Sequence, residues 1–71
     1  MNFSKTSVAK IKKVIMEESG TLKRSQPYWM NERVLKSAKR CVQSVNSTPS
    51  VSDKKKESLN NWISNLENEY L

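Results

Sequence analysis

A chain of 71 residues with one Cys and no His has room for a single domain, cannot close an intramolecular disulfide and cannot build a Cys/His zinc site on its own. All 13 Lys and Arg fall within residues 1–56 against four acids, and residues 57–71 hold three acids and no base, so a part of charge +9 is followed by one of −3, giving the net +6. No apolar run exceeds three residues, which leaves neither a bilayer-spanning helix nor a signal-peptide core to be expected.

A chain this short buries only about 60% of the surface its unfolded form exposes. Without a disulfide or a metal, its core calls for regular helix packing, self-association into a homo-oligomer, or a bound partner. The unpaired thiol fits a reducing interior, so the cytoplasm is the expected compartment.

The first predicted element covers about residues 4–19. Val8, Ile11, Val14 and Ile15 recur at helical spacing, Ser4 or Thr6 is placed to cap the first turn, and Gly20 is placed to end the helix in a left-handed conformation. Glu17 and Glu18 sit near the negative end of its dipole, a small local penalty.

The second element, over about 27–46, has the cleanest pattern. Asn31, Val34, Leu35, Ala38, Cys41, Val42 and Val45 gather on one face at about 100° per residue, while Arg33, Lys36, Lys39 and Arg40 fall away from it. Two starts are open. If the helix begins at Pro27 behind a Ser25 or Gln26 cap, Trp29, Arg33, Lys36 and Arg40 form one stripe at i, i+4, i+7 and i+11. If Asn31 is the cap, Met30 and Leu35 form a hydrophobic staple, and Tyr28 and Trp29 leave the stripe to close one end of the core.

A Ser, Asn, Thr and Pro cluster at 46–50 breaks the pattern, with Thr48 or Ser52 as the next cap. The third element covers about 50–70, with Leu59, Trp62, Ile63, Leu66 and Tyr70 on its apolar stripe. No stretch alternates with period two. The fold class is therefore all-α, a small three-helix bundle forming one domain over residues 1–71.

Catalytic chemistry finds no foothold. The carboxylates do not pair across an apolar pocket: Glu17 and Glu18 are adjacent on a helix and point about 100° apart. Cys41 lies on an apolar stripe with no His to activate it and reads as a small hydrophobe. A single Gly cannot make a phosphate loop. No catalytic, cofactor-binding or metal-ligating residue is assigned, and no enzyme activity is expected.

The basic residues carry the sharper hypothesis, although a plain solvated surface explains such residues on many helices. A flat aromatic, Trp29, in line with Arg33, Lys36 and Arg40 suits phosphate contacts with stacking on, or insertion beside, a base. Lys39 adds to this face. Lys54, Lys55 and Lys56 form a second basic group that, with Lys10, Lys12, Lys13, Lys23 and Arg24, extends a positive face across the bundle. No helix-turn-helix or zinc-finger pattern is present, so the expected partner is DNA or RNA bound through its backbone, in an architectural or regulatory role. The alternative is a protein-binding inhibitor or adaptor, of the kind common among phage and mobile-element accessory proteins, whose basic face meets an acidic protein surface and whose acidic third helix docks. A membrane-surface role fits poorly, because the apolar face of the second helix holds small residues and no bulky aromatic.

Overall fold

All three helices are entered through the same backbone turn. In the computed structural model, which describes residues 3–71, the amide N–H groups of Thr6, Gln26 and Val51 donate to the carbonyls of Phe3, Lys23 and Thr48 at 3.1, 3.3 and 3.2 Å. Two residues after each donor a helix begins: α1 (Val8–Ser19), α2 (Tyr28–Asn46) and α3 (Asp53–Tyr70). Met1 and Asn2, the first residues of the domain expected over 1–71, lie outside the described residues.

These turns decide the caps. Ser4 and Thr6 belong to the first turn and neither caps α1; the cap is Ser7, whose Oγ accepts from the Lys10 amide at 3.3 Å. Of the two candidates for α3, Ser52 is used, accepting from the Lys55 amide at 3.3 Å. The Thr48 hydroxyl instead donates to the Ser44 carbonyl at 3.0 Å, closing the end of α2. Pro27 stands at the cap position of α2 and no side chain caps that end, so Ser25, Gln26 and Asn31 are all displaced from the role. The helices consequently start later than at 4, 27 and 50, because residues 4–7 and 49–52 are spent on turns and caps. Gly20 also departs from expectation. It donates to the Met16 carbonyl, but at φ 116° and ψ −168° it leaves α1 extended rather than left-handed helical, a conformation open almost only to glycine.

The short connections make α2 antiparallel to both neighbours. Asn46 Nδ2 donates to Asn60 Oδ1 at 2.8 Å, and Lys39 faces Glu67 at 3.6 Å. On the other side Gly20 abuts Val34, where a Cβ on the glycine would lie 3.2 Å from Val34 Cγ2. Parallel α1 and α3 meet where the Lys12 ammonium lies 5.7 Å from the centroid of the Trp62 ring. The result is a three-helix bundle of 37 × 20 × 18 Å.

Its core joins Ile11 and Ile15 of α1 to Leu35, Ala38, Val42 and Val45 of α2 and to Leu59 and Ile63 of α3. Val51, in the last connection, is equally buried; it belongs to no helical stripe and no spacing signals it. Trp62, Leu66 and Tyr70 pack against this core half-buried. Full burial of a Val, Leu or Ile side chain is worth about 1.5–3 kcal/mol, and ten such small contributors, Ala38 included, set a thin margin for a domain without covalent staples. Among the described residues no helix is long and apolar enough to cross a membrane.

Candidate nucleic-acid interface

The start of α2 at Tyr28 settles where Trp29 goes. It lies in the first helical turn and 60% of its surface is exposed. Asn31, Val34, Leu35, Ala38, Val42 and Val45 are buried on the inner face, and at about 100° per residue Trp29, Arg33, Lys36 and Arg40 stand diametrically opposite. The four line one open depression of about 330 Å³ together with Glu32 and Ser37. The Asn31 cap and the Met30–Leu35 staple are thereby overturned. Asn31 is 3% exposed and its side chain holds the preceding loop.

The electrostatics of this face are uneven. Lys36 approaches Glu32 at 3.9 Å, one turn back, a loose pair in open solvent. Among the described residues neither Arg33 nor Arg40 has an ion pair or side-chain hydrogen bond. With Lys36 between them, three and four residues away, they form a row of like charges on successive turns, a mildly repulsive arrangement in the free helix. Glu32 was not anticipated as part of the depression that it lines; its position three residues after Trp29 and four before Lys36 is the signal that could have found it.

The other candidate residues are placed differently. Lys39 lies on the flank of α2 rather than on the crest and pairs with Glu67 of α3 at 3.6 Å. Lys54, Lys55 and Lys56 do not form a patch with the stripe, because they stand at the end of the bundle where α2 finishes, whereas Trp29 stands where it starts. Lys54 is exposed and Lys56 half-buried. Lys55 donates its ammonium to the carbonyls of Ser4 and Thr6, each at 3.0 Å, which makes it a tie between α3 and the first turn rather than a free cation. Arg24 is likewise committed, to Glu69 at 3.0 Å. Two of the three acids that polarise the charge map therefore act within the fold, neutralising cations of the basic part.

Cys41 is half-buried and borders a separate depression of about 320 Å³ between α1 and α2, formed with Phe3, Val14, Ile15, Glu18, Ser44, Val45 and Thr48. Among the described residues no three His, Cys, Asp or Glu side chains gather as metal ligands would. The arrangement on α2 offers a row of long, mobile cations continuous with one flat apolar ring. No family model, curated protein or solved structure matches the chain.

Proposed function

We propose that this domain is a non-enzymatic nucleic-acid-binding protein that holds a phosphate backbone along the outer face of α2. The observation that carries the reading is that Arg33 and Arg40, without an intramolecular partner among the described residues, share one open depression with Lys36 and the exposed Trp29. Phosphates would relieve the repulsion between these cations and release counterions, the main source of sequence-independent affinity for nucleic acid. Nothing in the depression offers a rigid array of donors for base edges, so the reading is of binding with little sequence preference. The rival reading, docking on an acidic protein through the same face and through an acidic third helix, draws less support, because Glu67 and Glu69 are already occupied by Lys39 and Arg24.

The test is a fluorescence-anisotropy titration against labelled duplex DNA, single-stranded DNA and RNA. Three phosphate contacts lead to a weakening of about 20- to 40-fold between 50 and 200 mM salt. Micromolar binding with that dependence supports the reading. No binding of any of the three at 50 mM overturns it and leaves an acidic protein partner, sought by pull-down.

A further inference from the structure

We infer that the strand held on α2 is unpaired, and that Trp29 stacks on one of its bases at the end of a three-phosphate contact made by Arg33, Lys36 and Arg40. This inference rests on the nucleic-acid reading above and specifies its ligand.

The position of the ring favours an unpaired strand. Trp29 lies on the crest of the helix between the directions of Lys36 and Arg40, not on a flank, and it is 60% exposed where it lines the open depression. A helix lying in the major groove of a duplex brings its crest against base edges, which present hydrogen-bonding groups and few apolar ones. An indole in that place finds no ring face to cover. An unpaired strand exposes the faces of its bases, and every base has one, so stacking there needs no sequence.

The length of the row fits as well. From Arg33 to Arg40 the helix rises about 10 Å at 1.5 Å per residue. A stacked strand rises about 3.4 Å per nucleotide along its axis, so the three cations span about three nucleotide steps. Trp29 lies a further 6 Å along the same line, about two nucleotides on. The whole row therefore covers about five nucleotides, at the short end of the range over which small single-strand binders work.

Charge points the same way. Glu32 stands in the depression between Trp29 and Lys36 and pairs loosely with Lys36. A duplex brings two strands of phosphate past this carboxylate. A single strand laid along Arg33 and Arg40 brings one, with a neutral base rather than a phosphate over the Trp29 end.

The experiment uses the intact chain with oligothymidylates of about three to twelve nucleotides and, separately, a long blunt duplex in which terminal base pairs are scarce. Affinity for the single strand is expected to rise with length to about five nucleotides and then only with the number of available positions. Trp29→Ala is expected to weaken oligothymidylate binding about 5- to 150-fold and to leave the weaker duplex binding unchanged. Trp29→Phe keeps a stacking ring and most of the affinity. The emission quenching that accompanies binding vanishes in it, since the remaining Trp62 packs against the core. Equal binding of duplex and single strand, with Trp29→Ala altering neither, overturns the inference and leaves phosphate-backbone binding standing. Failure of both ligands to bind at about 50 mM salt overturns the nucleic-acid reading itself and the inference with it.

Discussion

The side chain of Asn31 and the backbone of Lys23 are joined twice: Asn31 Nδ2 donates to the Lys23 carbonyl at 2.9 Å, and the Lys23 amide donates to Asn31 Oδ1 at 3.3 Å. Gln26 closes the knot by donating from Nε2 to Asn31 Oδ1 and to the Thr21 carbonyl. A buried amide thus serves as a substitute peptide group for a loop that has no sheet or helix to satisfy it. It anchors the loop of Thr21, Lys23 and Gln26 to the start of α2, beside the exposed Trp29.

Replacing Asn31 by Leu keeps roughly the volume but removes the partner of the Lys23 amide and one of the two donors to the Lys23 carbonyl, which keeps the Gln26 amide. The expected loss is about 1–3 kcal/mol, two hydrogen bonds at about 0.5–1.5 kcal/mol each. Urea denaturation followed by far-UV circular dichroism measures it. A Leu variant as stable as the parent removes the knot from the list of features that hold the loop.

Leu59 and Leu66 lie two turns apart on the same stripe of α3 but differ in depth. Leu59 is fully buried at the centre of the bundle, whereas Leu66 packs half-buried at its edge. Leu59→Ala should lose about 3–5 kcal/mol, which exceeds the margin of so small a core and leaves the domain largely unfolded at 25 °C. Leu66→Ala should remain folded with a lowered Tm. Equal melting of the two variants contradicts this ranking of depth.

The sequence pattern carries the helices well because each buries one continuous stripe. Of the seven inner-face residues of α2 read from spacing, Asn31, Val34, Leu35, Ala38, Val42 and Val45 are buried and Cys41 is half-buried. The ends are less legible. Ser4, Thr6 and Ser7 are chemically near-equivalent capping candidates, and only the hydrogen bond from Thr6 to Phe3 selects Ser7. The fate of individual cations is legible least. A wheel puts Lys36 on the crest and Lys39 on a flank, but it does not say that a partner 28 residues away on α3 takes Lys39, or that Lys55 reaches back 51 and 49 residues to Ser4 and Thr6. Such pairings depend on how the helices meet, which no local period encodes.

Lys55 is expected to act on order at the amino-terminal turn. Its ammonium supplies two charge-assisted hydrogen bonds from α3 to the Ser4 and Thr6 carbonyls of that turn. Lys55→Met retains the apolar stem and removes the donors. Amide hydrogen exchange should quicken by about tenfold or more at the Thr6 amide, with little change at Leu59 or Ile63 in the core, since the opening is local. Unchanged exchange at Thr6 means that the turn holds itself and that Lys55 only rests against it.

The contrast between Arg40 and Lys39 tests the interface most directly, because these neighbours in sequence differ in what they are free to do. Arg40 lines the depression with no ion pair among the described residues, whereas Lys39 is drawn to Glu67 at 3.6 Å. Arg33→Ala and Arg40→Ala should each weaken nucleic-acid binding several-fold at about 50 mM salt and lower the slope of log affinity against log salt by about 0.7–0.9, the share of one phosphate contact. Both should leave stability within about 0.5 kcal/mol, since neither side chain is buried. Lys39→Ala removes the same formal charge from the same helix. It should reduce affinity only through the general field, which is screened within about 10 Å at 0.1 M salt, and its slope should stay near that of the parent. Titrating the three variants at four salt concentrations separates contact from background charge. Equal losses of slope in all three would mean that binding, where it occurs, follows net charge rather than the row on the crest of α2.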